Sequence, residues 1–372
     1  MDSRYYGELG VIGMKGTEAF VERVDSYLRQ WRKNDEKETY LMTADCPRFG
    51  TGEAKGIIRE TCRGRDIFIF TDIFNYGVTY KMYGMTVPMS PDDHYQDLKR
   101  IISATGGKAR RISVIMPMLY EGRQHRRSTR ESLDCAEALQ ELVAYGVDNI
   151  ITFDAHDARV QNSIPRDGFD NVRTSYQMLK ALAREYPDIT FDPEQLMIIS
   201  PDEGGMSRAM YYSSVLGLEL GMFYKRRNYT VVIDGRNPIE AHEFLGHSVE
   251  GRDVCIVDDM ISSGESIIDV AGELKKRGAR RIFVFATFGL FCNGTDKLDA
   301  AYSDGKITKI FTTNLNYRTD ELKNKPWYAE VNMCKYVSYL IDTINKEQSI
   351  SDLLDPVKRI HALADKVRGK KE

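Results

Sequence analysis

The sequence lacks most of the features that would take a chain out of ordinary water-soluble architecture. No two of its six cysteines (Cys46, Cys62, Cys135, Cys255, Cys292 and Cys334) have CxxC spacing, which excludes the common zinc and dithiol motifs. Cys255 lies inside an apolar run, as a small core residue would. No apolar stretch approaches the ~18 residues that a membrane-spanning helix needs. The opening residues, MDSRYYGELG, carry no charged-then-apolar leader. A net charge of only −3 leaves no basic field for a nucleic-acid backbone and no acidic block of the disordered kind. No repeat period or low-complexity tract occurs. These absences point to a cytoplasmic protein without nucleic-acid or membrane partners. What is present is 372 residues, 42% apolar and 29% charged, enough for two cores of ordinary size without disulfide or metal staples.

The periodicity is that of an α/β protein. Residues 15–37 carry Phe20, Val21, Val24, Tyr27, Leu28 and Trp31 at helical spacing. Apolar runs of strand length follow at 66–71, 111–117, 148–153, 196–200, 220–224, 253–257, 280–287 and 308–313, with helix-like stretches between many of them at 92–105, 129–146, 173–185, 204–217 and 264–278. Alternation of this kind predicts parallel sheets flanked by helices. The polar, Pro- and Gly-bearing QNSIPRDGFDN marks a domain boundary near 160–172.

Several strand ends carry chemistry. In DVCIVDDMISSGES (253–266) an apolar run meets Asp258 and Asp259, then a loop of Ser262, Ser263, Gly264, Glu265 and Ser266 opens a helix. Ligands bind beyond the carboxyl ends of strands in open α/β sheets. Backbone N–H groups at a helix start attract phosphate, so the loop suits an anion and the acids a polyhydroxylated group or a metal. Alone, the segment also reads as an acidic capping turn. VIMPMLYEGRQHRR (114–127) places Arg123, Arg126 and Arg127 after a strand, where guanidinium forks suit a polyphosphate or a solvated helix start. IITFDAHDARVQ (150–161) ends a strand with Asp154 and His156, able to hold Mg²⁺, although a lone histidine is more often structural. LMIISPDEGGMSRA (196–209) opens a helix through Gly204 and Gly205, which permit close approach of backbone to an anion. MFYKRRNYTVV (222–232) reads alone as an exposed basic loop, and CPRFGTGEAKG (46–56) as a turn between two strands.

Residues 253–266 resemble the 5-phosphoribosyl 1-pyrophosphate motif shared by type I phosphoribosyltransferases and ribose-phosphate pyrophosphokinases. The resemblance implies that Asp258 and Asp259 contact ribose hydroxyls and that Ser262, Ser263, Gly264, Glu265 and Ser266 hold the 5-phosphate. Ser262 and Ser263 stand where an Asp-Thr pair is usual, Ser266 where threonine is usual and Glu265 where glycine is usual. A carboxylate there repels phosphate unless it points away. The remaining motifs resemble the pyrophosphokinases, in family order over roughly residues 46–345. That likeness implies ATP binding by Arg123 and Gln124, with His125 in place of an aspartate. It implies Mg²⁺ binding by His156 and Asp202, and a pyrophosphate loop of Glu203, Gly204 and Gly205. Lys225 and Arg227 would stabilise charge on the transferred group, with Tyr224 in place of an aspartate before them. Phe49 would stack on the adenine of a neighbouring subunit's ATP and Glu53 accept from it, with Thr51 in place of an aspartate. The first 45 residues, the 75–91 segment and the last 25 or so lie outside the likeness.

The implied protein has two phosphoribosyltransferase-type domains, 1–165 and 166–372, with the active site at their interface. It transfers the β,γ-diphosphoryl group of ATP to the 1-hydroxyl of ribose 5-phosphate, with Mg²⁺ as cofactor, as a homo-oligomer based on dimers and extending to hexamers in the family. A phosphoribosyltransferase or a non-catalytic regulatory homologue is the alternative.

Overall fold

The computed structural model describes residues 5–32, 38–227 and 239–369, with backbone alone at 225–227 and 239–242. The chain forms two units, the first made of Met1–Arg173, Asn314–Tyr317 and Asn332–Asp355, the second of Thr174–Thr313, Arg318–Val331 and Pro356–Glu372.

In chain order the first unit begins with β1 (Glu8–Gly13), α1 (Glu18–Trp31), the short pair β2 (Ala44–Asp45) and β3 (Ile57–Ile58), and β4 (Arg65–Phe70). A hairpin of β5 (Thr79–Met82) and β6 (Met85–Pro88) follows, then α2 (Pro91–Ala104), β7 (Arg111–Ile115), α3 (Asp134–Ala144), β8 (Asn149–Phe153) and β9 (Gly168–Val172). The main sheet runs β1-β4-β7-β8-β9 and every pairing is parallel. Strands covered on both faces read as continuous apolar runs, and β4, β7 and β8 do. Helix α2 starts at a capping box in which the Ser90 hydroxyl accepts from Asp93 N–H (3.2 Å) and the Asp93 carboxylate accepts from Ser90 N–H (2.9 Å). Because the strands are parallel, the loops after β7 and β8 leave by the same edge, and these are the loops carrying Arg123–His125 and Asp154–Asp157.

The second unit contains α4 (Ser175–Glu185), β10 (Leu196–Ser200), α5 (Met206–Leu216), β11 (Glu219–Arg227), β12 (Ile239–Leu245), β13 (Asp253–Ile261), α6 (Glu265–Lys276), β14 (Ile282–Gly289), α7 (Asp296–Ser303), β15 (Lys309–Thr313), α8 (Asp320–Lys323) and β16 (Tyr328–Val331). The chain ends with α9 (Cys334–Asn345), α10 (Ser351–Leu354) and α11 (Val357–Arg368). The sheet order is β12-β11-β10-β13-β14-β15-β16, parallel except for the β11/β12 ribbon. Its core is aromatic, with Phe223, Phe283, Phe285, Phe288, Phe311 and Trp327 fully buried. From β10 the chain passes through α5 to β11 on one side, and from β13 through α6 to β14 on the other. The order therefore reverses between β10 and β13, which is the topological switch point where such sheets bind ligands.

The first break between the units, at Arg173–Thr174, falls just past the polar stretch near 160–172. That stretch belongs to the first unit. It holds a 3₁₀ turn, Ala158–Ser163, and then β9, whose main chain pairs along all of β8. Gly168 is required there, since a Cβ would lie 2.0 Å from Asn149 Oδ1 and 2.6 Å from Asp148 O. Residues 332–355, expected in the second domain, belong to the first. Helix α9 lies along α1, with Arg32 Nε 2.6 Å from Asp342 Oδ1 and Asn345 Nδ2 donating to buried Asp66 Oδ2 at 2.9 Å.

Candidate active site

The two acids of the 253–266 segment do not follow a strand end. β13 continues through them and stays paired with β14 as far as Ile261–Gly289, whereas its pairing with β10 stops at Ile256–Ile199. Asp258 and Asp259 therefore stand on an overhang where one neighbour has already left the sheet. The Asp259 N–H donates to Asp258 Oδ1 at 2.9 Å. Arg208, from the first turn of α5, places Nη1 4.0 Å from Asp258 Oδ1 and 3.8 Å from Asp259 Oδ1. Burial, with the adjacent Asp259 charge added, pushes the Asp258 carboxyl well above the ordinary aspartate range, and Arg208 only partly offsets this. Arg208 escaped the sequence reading because an arginine on an amphipathic helix looks like a solvated face.

Across the switch point, β10 ends in Ser200 and the loop Pro201–Gly205 turns into α5. The Ser200 hydroxyl donates to Asp202 O (2.7 Å), and Gly205 N–H donates to Asp202 Oδ1 (3.1 Å). A Cβ on Gly205 would sit 3.0 Å from Ser200 Oγ and 3.2 Å from Pro201 Cδ, and one on Gly204 3.2 Å from Asp202 Oδ1. Glycine thus lets the turn close on its own acid at the start of α5. Glu203 is exposed.

The loop after β13 has Gly264 at φ 82° as the residue before α6, a left-handed conformation that favours glycine. Cys292 N–H donates to Ser262 O at 2.8 Å, and Glu265 N lies 3.4 Å from Ser263 Oγ. Glu265, which has the wrong sign for a phosphate loop, is ion-paired with Lys297 of α7, and that pairing lowers its carboxyl below the usual range. Its charge is thereby matched by a lysine outside the motif.

In the first unit, residues 46–56 do form the turn between β2 and β3. Phe49 N–H donates to Glu53 O (2.7 Å), and Thr51 Oγ1 donates to Glu53 Oε2 (2.8 Å). The Phe49 ring is 55% exposed. Next to it in the chain, half-buried Arg48 pairs with Asp97 at 2.8 Å. At the edge formed by β7 and β8, Gln124 Nε2 donates to Ser132 O (2.8 Å) while Arg123, Arg126 and Arg127 are exposed. The loop containing Arg123 and Gln124 meets the one containing His156: His125 lies 3.5 Å from Asp157 and edge-on to His156, with ring centroids 5.3 Å apart. Asp154 adopts φ 40°, a strained conformation for a non-glycine residue of the kind held at functional sites.

Among the described residues no group of three or more His, Cys, Asp or Glu side chains gathers to hold a metal. His156 is exposed in the first unit, and Asp202 is half-buried in the second. Lys225 and Arg227 lie on β11, whose backbone pairs Lys225 with His242 and Arg227 with Ile239; their side chains lie outside the described residues. No described helix is long and apolar enough to cross a membrane.

Comparison with known proteins fits this geometry. Residues 9–146 match the family model for the N-terminal domain of ribose phosphate pyrophosphokinase, and residues 168–314 match that for the phosphoribosyl transferase domain. The chain belongs to the ribose-phosphate pyrophosphokinase family. Among curated members of the family, the ribose-phosphate pyrophosphokinase of Vibrio cholerae is 27% identical over 321 residues, 85% of this chain and 92% of that protein. The one from Chromobacterium violaceum is 28% identical over 321 residues, 85% and 88% of the two chains. The crystal structure of phosphoribosylpyrophosphate synthetase from Mycobacterium smegmatis superposes with a TM-score of 0.73 at 19% identity, covering 91% of this chain and 99% of that one. At that identity the likeness shows the shared two-domain fold.

Proposed function

We propose that this family member is a ribose-phosphate diphosphokinase: the 1-hydroxyl of ribose 5-phosphate attacks the β-phosphorus of ATP, and AMP leaves. The observation that carries the reading is the switch point of the second unit. There Arg208 of α5 reaches the Asp258–Asp259 overhang, and the Asp202–Gly205 turn that opens α5 lies against β13, where a Gly205 Cβ would come 3.5 Å from Val257 O. The acids take the ribose hydroxyls, and Ser262, Ser263, Gly264, Glu265 and Ser266 the 5-phosphate. Glu203, Gly204 and Gly205 take the pyrophosphate. In the first unit Arg123 and Gln124 hold the ATP phosphates, and Phe49 and Glu53 the adenine. His156 and Asp202 would hold Mg²⁺, which supplies charge neutralisation on the phosphates. Lys225 and Arg227 stabilise charge on the group in transfer. Exposure of Phe49 supports a homo-oligomer in which it reaches a neighbouring copy's nucleotide. The six free cysteines support a reducing, cytoplasmic setting.

The test is to mix the protein with Mg²⁺, ATP and ribose 5-phosphate and measure AMP. Stoichiometric AMP and 5-phosphoribosyl 1-pyrophosphate are expected. Binding of both substrates without AMP would instead identify a regulatory homologue.

The Glu265–Lys297 pair yields a second expectation. Both side chains are more than half exposed, so Lys297→Ala leaves stability almost unchanged. It uncovers the Glu265 carboxylate beside the phosphate loop and raises the KM for ribose 5-phosphate about two- to fivefold, more at low salt. In Glu265→Gly that penalty is absent, and the Lys297→Ala change then has no effect on KM. An equal KM effect of Lys297→Ala in both backgrounds would show that Lys297 acts on the phosphate directly.

A further inference from the structure

The hairpin β5–β6 occupies the 75–91 segment that the family likeness leaves out, and it is built against the Phe49 loop. Its two four-residue strands are joined by Tyr83 and Gly84, at φ 48° and 79°. Positive φ at both central residues is the type I′ turn, whose first position favours Asn, Asp or Gly. A tyrosine there is held in a conformation that disfavours a side chain, and its ring, 74% exposed, recovers little by burial. Nothing about the turn itself asks for an aromatic at this position.

What the hairpin touches supplies a reason. Tyr83 N–H donates to Gly50 O at 2.8 Å, next to Phe49. Gly52, at φ 93°, lies so close to β5 that a Cβ would come 2.9 Å from Met82 Sδ. The Arg48 guanidinium covers the Tyr80 ring, 4.6 Å from its centroid, while donating to Asp97 (2.8 Å) and to Gly52 O (3.3 Å). At the base of the hairpin, Asn75 O lies 2.8 Å from His94 Nε2 of α2. A two-stranded hairpin is marginal alone; this one is fixed by the loop it braces. The result is a rigid mount that holds a second exposed aromatic residue one hydrogen bond from the Phe49 loop.

We propose that Tyr83 is a second base-stacking residue of the donor-nucleotide site, with the β5–β6 hairpin as its support. This rests on the reading of Phe49 as a base contact and adds to it a specificity element particular to this chain. An aromatic face stacks on any nucleobase, so Tyr83 contributes affinity for the base and none for the phosphates.

The decisive variant is Tyr83→Asn, which gives the turn the residue its geometry favours. Its thermal midpoint is expected to equal or exceed that of the parent, so misfolding does not confound the result. The KM for ATP is expected to rise about tenfold, with kcat and the KM for ribose 5-phosphate unchanged. Inhibition by inorganic tripolyphosphate, which has no base, stays as in the parent, and Tyr83→Phe restores the KM for ATP. An unchanged KM for ATP in Tyr83→Asn overturns the proposal. So does a parallel loss of tripolyphosphate inhibition, or a rise in KM that appears only with a changed sedimentation coefficient, which would make the ring a contact between copies. Phe49→Ala separates the two readings. If it raises the KM for ATP while Tyr83→Asn does not, the Tyr83 assignment alone fails; if neither does, the base-contact reading of the loop fails.

Discussion

Lys225→Ala is expected to lower kcat for AMP formation by about 10²–10³-fold, with the KM for each substrate within about twofold of the parent. The backbone gives the reason. β10 and β11 pair in parallel from Met197–Glu219 to Ser200–Met222, and β11 then continues alone with β12 to Arg227. Lys225 thus stands three residues, roughly 10 Å at ~3.3 Å per residue, past the last β10–β11 pair. It extends from the same sheet edge as the Asp202–Gly205 turn and the Asp258–Asp259 overhang. In the role proposed for it, Lys225 meets negative charge that grows as the bond from the β-phosphorus to AMP breaks, so its contribution would belong to the transition state more than to binding. The substitution lies on an extended two-stranded ribbon beyond the main sheet, and circular dichroism and the thermal midpoint should match the parent. Single-turnover measurement of AMP separates the chemical step from product release. A KM effect with normal kcat would instead assign Lys225 to ground-state phosphate binding. Lys225→Arg is expected to recover only part of the rate, because a planar fork does not replace a compact ammonium.

Much of the fold was legible because buried parallel strands have few alternatives. DIFIF, RISVI and LMIIS can be little else, and each is a central strand. The strands that escaped notice are those whose sequence does not advertise them. β9, GFDNV, contains glycine, aspartate and asparagine and is held by pairing along β8. The β5–β6 turn uses Tyr-Gly in place of Asn-Gly. The return of residues 332–355 to the first unit depends on buried polar pairs such as Arg32–Asp342, whose partners are some three hundred residues apart and which no local pattern encodes.

The candidate site divides along the same line. Glycines and acids after an apolar run announce themselves by spacing, and Asp202, Gly204, Gly205, Asp258 and Asp259 lie on the two strands that flank the switch point, or just beyond them. Residues that act by reaching across elements do not. Arg208 and Lys297 sit on helix faces where a basic residue is unremarkable, and only the packing of α5 on β13 and of α7 beside α6 gives them partners. Glu265, the misfit of the phosphate loop, was visible as a problem in the sequence; its answer lies 32 residues away.

The buried acid pair on the β13 overhang should prove costly to the unliganded protein, and Asp258→Asn tests this. The Asp258 carboxyl is raised above its ordinary value of 3.8 by burial and by Asp259. Between that value and the elevated native one, the folded state binds more protons than the unfolded state, so stability falls as the pH rises through the window. Asparagine has no proton to lose, so the variant's advantage is absent near pH 3.8, grows as the pH rises and levels off once Asp258 is ionised in the parent. At neutral pH, urea denaturation should therefore show a higher midpoint for the variant with the slope m unchanged. Asp259 keeps Arg208 at 3.8 Å, so the substitution strands no cation. The same change replaces a carboxyl by an amide at the proposed sugar hydroxyls, where one hydrogen bond is worth about 0.5–1.5 kcal/mol. That corresponds to a rise in the KM for ribose 5-phosphate of about two- to tenfold. Greater stability together with lost affinity is the signature of a site assembled against the preference of the fold. If the variant were less stable at neutral pH, the two acids would instead be holding the crevice together through Arg208, and the charge pair would be structural.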